Sequence, residues 1–362
     1  MDLIVFILIL VALIVVHELG HFSVAKFFGI RVDEFGIGFP PRLFGKKIGE
    51  TLYTVNLLFF GGFVRIFGEN KEEAGDNKRS FANKSRWIQA AVIVAGILCN
   101  ILFAWVVLSA GYMVGMPTSA EHQGIGVVSN PKTTVVGVIP GSPAEKVGLE
   151  AGDIINTVSN AAGEVLVPNS SSETQNFIKD HQGESLVIAA TTDAGETKTF
   201  IVKAEDGLVP GKKAVGIQLD DVGMLRLSPP QAVVQGAILT YHMTGSTAVG
   251  LFTFFSQIFR GVADFSSVAG PIGIANIGAK AVSTGFSQVI TLTALISINL
   301  AIINVLPIPG LDGGRLFIIA VECITKRRVS DKLMTTLSLT GFGLLILLML
   351  VVSYHDVLRL IG

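Results

Sequence analysis

The chain has 362 residues, of which 50% are hydrophobic and only 15% are charged, and its formal net charge is −1. Soluble domains carry about 25% charged residues, so this composition argues against a soluble protein and favours a membrane protein. The near-neutral charge gives no support to nucleic-acid binding, and two cysteines in apolar segments argue against a disulfide framework or a cysteine-rich zinc site.

The first apolar segment, approximately 3–27, is long enough to span a bilayer. It has no basic start and no small-residue cleavage site, so we expect a retained helix rather than a signal peptide. His17, Glu18 and His21 form the sequence HELGH near its end, where ionisable groups are costly unless they are functional. Residues four apart share a helix face, so both imidazoles can reach one metal, with Glu18 placed as a general base. Chance occurrence of this short motif is the alternative, and the apolar setting argues against it.

The residues at about 50–67 have β character. Thr51 to Leu58 and Gly61 to Phe67 are strand-like runs on either side of Phe60-Gly61-Gly62, which predicts a β-hairpin. Strand edges at membrane depth are tolerated only when protein buries them or when they line a wet cavity. A hairpin close to HELGH therefore offers an edge to an extended peptide.

The middle of the chain changes character twice. A second apolar segment covers 86–114, after which charged and small polar residues become more frequent. Short alternating runs between turns predict a small soluble domain at 116–225. The stretch at about 231–260 is apolar but interrupted by polar residues. We interpret it as an interfacial amphipathic helix, with a further span as the alternative.

The last two apolar segments, 286–306 and 333–354, flank a candidate third metal ligand. Catalytic zinc sites usually have three protein ligands, and HELGH supplies two. Asp312 is an isolated carboxylate in a Leu-, Pro- and Gly-rich stretch after the third segment. An ordinary helix N-cap is the alternative. The presence of HELGH favours the interpretation of Asp312 as a ligand.

Basic residues set the expected orientation, because lysine and arginine accumulate on the cytoplasmic side. They are concentrated between the first two spans and between the last two. Both connections are therefore predicted to be cytoplasmic. Both termini and the soluble domain are predicted to be extracytoplasmic, and HELGH lies toward the cytoplasmic side.

These elements predict a polytopic α-helical membrane protein with about four transmembrane helices, a membrane-associated β-hairpin and an inserted extracytoplasmic α+β domain. The N-terminal part of the membrane core covers 1–115, and the inserted domain covers 116–225. An interfacial amphipathic segment covers 226–285, and the C-terminal part of the core covers 286–362.

HELGH in a first span, paired with a distant LDGG after an Asn-x-x-Pro-x-Pro run, resembles the site-2 protease family of intramembrane zinc metalloproteases. The blocks at 136–144 (VGVIPGSPA) and 148–155 (GLEAGDII) resemble the core signature of one PDZ domain. The segment at 267–274 (SVAGPIGI) resembles a family segment ahead of the third span. The resemblance covers essentially the whole chain and is strongest to the bacterial RseP-like branch.

The resemblance implies a zinc-dependent endopeptidase that cleaves transmembrane segments in regulated intramembrane proteolysis, for example of anti-sigma factors or signal-peptide remnants. One Zn²⁺ per chain would be held by His17, His21 and Asp312, with Glu18 as the base. The implied partners are single-pass membrane substrates, a peptide or protein ligand of the PDZ domain, and the lipid bilayer of the bacterial inner membrane, with no nucleic acid. A PDZ scaffold with an inactive metal site and a metal transporter are the alternatives. The complete motif set argues against the scaffold, and the scarcity of polar residues in the other spans argues against the transporter.

The resemblance also implies residues that contact the substrate. In the hairpin, Gly61, Gly62, Phe63 and Val64 would form the membrane re-entrant β-loop of the family. In the third span the substrate-contacting residues would be Asn304 and Asn299. In the PDZ domain, Val215, Gly216 and Ile217 would form the peptide-facing strand. Hydrogen bonding between helices is the alternative for both asparagines, and for Asn299 the two interpretations are equally good.

Overall fold

The computed structural model describes residues 1–69, 75–192, 195–209, 212–262, 269–327 and 329–361. The chain divides into two compact units. The first unit is mainly helical and consists of Met1–Leu108 and Gly236–Gly362, whereas the second, Ser109–Gln235, is mainly β.

Helices dominate the first unit, since a long apolar run can satisfy its own backbone groups in hydrocarbon only as a helix. The described helices of the chain, in order, are α1 (Asp2–Phe27), α2 (Arg86–Val114), α3 (Pro143–Lys146), α4 (Ser171–Asp180), α5 (Pro229–Phe259), α6 (Pro271–Thr284), α7 (Phe286–Val305), α8 (Asp312–Thr325) and α9 (Asp331–Ile361).

Four of these helices are long and apolar enough to cross a membrane, namely α1, α2, α7 and the Thr336–Leu358 part of α9. The prediction of four spans is therefore confirmed on length and composition. Within the described residues α5 is not among these candidates. Its interfacial position remains a prediction.

The β structure of the first unit differs from the predicted hairpin. Strands β1 (Val32–Ile48) and β2 (Thr51–Ile66) fold into a sheet of four short segments, in which 34–37 and 52–55 run parallel and the two outer pairs run antiparallel. Residues 32–37 pair with 62–66 on one side and with 52–55 on the other, and 52–55 pair in turn with 44–48. The two runs that were predicted to pair with each other are therefore neighbours of a common central segment, and the β structure begins near residue 32 rather than residue 50.

Glycines in this sheet make room for aromatic rings. A Cβ atom on Gly36 would overlap the ring of Phe63, and one on Gly61 would overlap the ring of Phe39. The two phenylalanine rings stack across the strands, with centroids 6.4 Å apart and an interplanar angle of 7°. Glycine in a strand often marks such a close approach. The sequence predicted β structure only at about 50–67, and this nonlocal packing of strands 32–48 explains the earlier start.

The turn between β1 and β2 is fastened to the end of α1. The Glu50 carboxylate accepts hydrogen bonds from Arg79, at 2.6 Å, and from Lys26, at 2.7 Å. The Arg79 guanidinium, followed by the Lys26 ammonium group, lowers the pKa of Glu50 to about 2. This contact holds the sheet beside the half of α1 that carries HELGH.

The second unit is built on a seven-stranded sheet and a separate strand pair. The strands are β3 (Met116–Ser119), β4 (Ser129–Val138), β5 (Ile154–Ser159), β6 (Val165–Leu166), β7 (Ser185–Thr191), β8 (Thr197–Lys203), β9 (Glu205–Val209), β10 (Lys212–Ala214) and β11 (Ile217–Leu225). The order in the main sheet is β3-β11-β4-β5-β7-β8, with β6 beside β5, while β9 pairs with β10. Leu186, Ile188 and Ala190 alternate into the core from β7, which is the period expected of a strand with one buried face.

Candidate metal centre

α1 and α8 bring three potential metal ligands together. His17 and His21 are buried on α1, 8% and 9% exposed, and their Nε2 atoms lie 3.2 Å apart. Asp312 is the first residue of α8, and its Oδ2 atom lies 3.1 Å from Nε2 of His17 and 3.2 Å from Nε2 of His21. All three predicted ligands therefore converge on one point.

These distances suit a single tetrahedral zinc ion. With metal–ligand bonds of about 2.0–2.2 Å, neighbouring ligand atoms of a tetrahedral site lie about 3.3 Å apart. Oδ2 of Asp312 is buried and accepts no well-directed hydrogen bond from the described residues, although both imidazoles are close. A cation at the centre would satisfy this oxygen. In the part of the chain that the structure describes, this is the only group of His, Cys, Asp or Glu side chains arranged to hold a metal.

The Asp312 carboxyl is held in its charged form. Burial disfavours the ionised carboxylate, but the adjacent imidazoles of His17 and His21 favour it. The balance lowers the pKa of Asp312 below its usual range. The residue therefore presents the anionic oxygen that a divalent metal prefers.

The two glycines after Asp312 place it in the site. A Cβ atom on Gly313 would overlap the carbonyl oxygen of Val305, and one on Gly314 would overlap that of Ile308. The chain can thus turn back tightly after α7 and begin α8 with its carboxylate in the first turn. A helix N-terminus favours an anion there.

Glu18 lies between the ligands and the sheet. A Cβ atom on Gly62 would be 3.4 Å from Cγ of Glu18, and the backbone N–H of Val64 donates to the Glu18 carboxylate. The 61–66 segment, which includes Val64, pairs with 32–37 on one side and has no strand partner on the other side among the described residues. The expected base and an unpaired strand edge therefore face the same space.

The two asparagines of α7 differ in position. Asn304 is 8% exposed and Asn299 is half-buried, and neither side chain makes a hydrogen bond within the described residues. Five residues correspond to about 140° around a helix, so the two amides face different directions. Only Asn304 combines deep burial with an uncommitted amide.

Three positions on α2 support the ligands and were not recognised from the sequence. The Val92 carbonyl oxygen lies 2.9 Å from Nδ1 of His21, and Asn100 Nδ2 lies 3.2 Å from Nδ1 of His17. Between them, a Cβ atom on Gly96 would overlap the ring of His21 and lie 3.0 Å from Cε1 of His17. The available signal was a glycine and an asparagine one turn apart in an apolar span.

The far end of α8 is fixed by a buried ion pair. The Glu322 side chain is 7% exposed and contacts Arg86, the first residue of α2, at 2.6 Å. Its other oxygen accepts the backbone N–H of Val329 at 2.8 Å. Near the opposite end, Arg315 pairs with Glu69. These contacts at the far end of α8 give Glu322 a structural role.

An HExxH pair on a spanning helix, completed by an aspartate from a distant helix, is typical of an intramembrane metalloprotease. The sequence profile of peptidase family M50 matches residues 5–348, and the chain belongs to this family. It is 32% identical, over 96% of each chain, to a candidate zinc metalloprotease of Clostridium perfringens. It is 28% identical to the zinc metalloprotease RasP of Geobacillus kaustophilus, covering 98% of this chain and 97% of the relative. It is 26% identical to the regulator of sigma-W protease RasP of Bacillus subtilis, covering 99% and 98%.

These similarities confirm the prediction of a site-2-type zinc metalloprotease. Together with the four apolar helices they support a multi-pass protein of the inner membrane that acts as an intramembrane protease. The ligand set, the orientation in the membrane and the nature of the second unit remain proposals.

Proposed function

We propose that the protein is an endopeptidase that cleaves transmembrane segments of single-pass membrane proteins, with one Zn²⁺ per chain held by His17, His21 and Asp312. The supporting observation is the convergence of three buried donor atoms, 3.1–3.2 Å apart, between apolar helices. When bound, zinc supplies a Lewis acid that polarises the scissile carbonyl and acidifies water.

Glu18 is the proposed proton carrier. Its carboxylate accepts a proton from the attacking water and later delivers it to the leaving amine, so that the peptide bond is exchanged for a carboxylate and an amine. The N–H of Val64 holds one carboxylate oxygen and orients the group toward the metal ligands.

Substrate binding is proposed to use the unpaired edge of the sheet. A helical substrate has its carbonyls engaged in hydrogen bonds to the fourth residue along, so it must unwind before one carbonyl can react. Pairing of the unwound strand with Gly61 to Val64 would replace the lost backbone hydrogen bonds. The uncommitted Asn304 amide is proposed to contact the substrate or the transition state, while Asn299 lies on another side of α7.

The second unit is proposed to contain the single PDZ domain of an RseP-like protease, at 116–225. Residues 217–221 of β11 pair with β4 on one side and have no ladder partner on the other side in the described chain, and α4 packs beside this edge. Gly216, just before it, has a φ of +90° and leaves no room for a Cβ atom beside Ser142. Val215, Gly216 and Ile217 are thus proposed to receive an extended peptide or protein segment.

The PDZ domain and both termini are proposed to be extracytoplasmic. The prediction can be checked with single cysteines in a variant that lacks Cys99 and Cys323. A cysteine at the exposed Ser172 should react with an impermeant thiol reagent added outside, and one at the exposed Lys78 should not. The reverse labelling pattern would invert the orientation.

The decisive experiment on the proposed function is Glu18→Gln. The metal ligands are untouched, so the purified variant should retain zinc and its melting temperature. Cleavage of a transmembrane substrate should fall by at least about 100-fold, the lower end of what a general acid–base contributes. Cleavage at the wild-type rate would refute the mechanism. Zinc retention with no cleavage by the wild-type protein would favour a scaffold with an inactive site.

A further inference from the structure

Asn100 contacts a metal ligand in a way that the reaction scheme leaves unexplained. It is completely buried on α2, and its Nδ2 atom lies 3.2 Å from Nδ1 of His17. Its Oδ1 atom is buried and has no hydrogen-bond partner among the described residues. An unpaired buried amide oxygen costs about 1–3 kcal/mol, so the environment should provide a donor.

Histidine chemistry identifies that donor. A neutral imidazole that offers Nε2 to a metal carries its hydrogen on Nδ1 and needs an acceptor there. His21 has such an acceptor, the carbonyl oxygen of Val92 at 2.9 Å. Nδ1 of His17, in contrast, faces the NH₂ group of Asn100. If Nε2 of His17 binds the metal, Nδ1–H and this NH₂ group are both donors and cannot bond to each other.

A rotation of the Asn100 amide by 180° resolves both conflicts. It exchanges Nδ2 and Oδ1, two atoms of nearly equal size that only the surrounding hydrogen bonds distinguish. The unpaired oxygen then accepts Nδ1–H of His17. The Ser297 hydroxyl donates to the backbone carbonyl oxygen of Asn100 at 2.8 Å, so this turn of α2 is held against α7.

We propose that Asn100 is a positioning residue that accepts the Nδ1–H hydrogen bond of His17 and so keeps Nε2 available for the metal. Val92 does the same for His21, from a position two turns earlier on the same face of α2. The ligands of α1 are thus oriented by one neighbouring helix, with Gly96 leaving room for the rings. The proposal rests on the assignment of His17 as a zinc ligand.

The test compares zinc affinity in two variants at one position. Asn100→Asp keeps an acceptor and removes the donor, whereas Asn100→Leu has a similar size and neither. Zinc affinity of the detergent-purified, metal-free protein would be measured by competition with a chromophoric chelator. Loss of an outer hydrogen bond to a metal-bound histidine typically costs 10- to 100-fold in affinity. We expect that loss for Asn100→Leu and an affinity within about threefold of wild type for Asn100→Asp.

Controls separate this proposal from its premise. Ser297→Ala removes the hydrogen bond to the backbone of the same turn and should leave zinc affinity unchanged if packing is not the cause. His17→Ala must lose zinc; if it does not, the ligand assignment fails, and the proposal fails with it. Equal affinities for wild type and Asn100→Leu would overturn the role of Asn100. Equal losses of zinc affinity in both Asn100 variants would overturn the acceptor role. If Asn100→Leu does not fold, a 10- to 100-fold loss of zinc affinity in Asn100→Asp would by itself overturn that role.

Discussion

Replacement of Gly96 by alanine tests the packing of α2 against the proposed metal ligands His17 and His21. The new methyl group would overlap Cε1 and Nε2 of His21 and lie 3.0 Å from Cε1 of His17. In the metal-free protein the imidazoles can rotate away from it, but zinc binding requires them to return. The cost should therefore appear in the affinity for zinc. Overpacking of one methyl group costs about 1–3 kcal/mol, which corresponds to an affinity about 5- to 150-fold weaker.

The expected loss of zinc affinity in Gly96→Ala is opposite in sign to the change in helix propensity. Alanine favours a helix interior over glycine by about 1 kcal/mol, so the metal-free variant should not lose helical stability through propensity. Gly343→Ala is the matched control, because a Cβ atom on this glycine of α9 meets nothing within 4 Å. Chelator competition on both variants gives the answer. Wild-type zinc affinity in Gly96→Ala would show that the rings do not occupy this position when zinc is bound.

Three further changes test other parts of the site. Asp312→Asn should lower zinc content and cleavage together, because a charged ligand becomes a weak neutral one, and full zinc content by metal analysis would reduce Asp312 to a structural role. Val64→Pro removes the N–H that donates to the Glu18 carboxylate and bends the unpaired edge, so cleavage should fall more than tenfold with zinc content unchanged, whereas Val64→Ala should be mild. A joint loss of zinc and melting temperature would mean that the sheet only shields the metal. Glu322→Leu leaves its arginine partner unpaired and should cost about 3 kcal/mol, the lower end for a broken buried pair because that arginine is 28% exposed. An unchanged melting temperature would refute this last estimate.

The spans and the histidine pair were predictable because each follows from a local rule. A bilayer requires about 20 consecutive apolar residues, and the helical period places His17 and His21 on one face. The position of Asp312 beside the two histidines was predictable because an isolated carboxylate beside an apolar segment is unusual and because its surroundings resemble a known family.

The sheet and the outer contacts of the ligands were not predictable in the same way. The pairing of 32–37 with two segments of β2 depends on nonlocal contacts, and Gly36 accommodates the ring of Phe63, which is remote in the sequence. From the sequence alone, an asparagine in an apolar span such as Asn100 is equally well explained by a hydrogen bond between helices as by a contact with a metal ligand. Which imidazole nitrogen it faces depends on the rotation of α2 about its axis, which no local pattern specifies.

α8 begins at the proposed metal ligand Asp312 and is held at its far end by the ion pair of Glu322 with Arg86. The ten intervening steps correspond to about 15 Å of helix, so α8 acts as a spacer of fixed length and phase. One inserted residue would advance one end by about 1.5 Å and rotate it by about 100°. Only one end could then keep its partner. Natural variation in length should therefore be absent from this helix, even where the amino acids on its exposed side change freely.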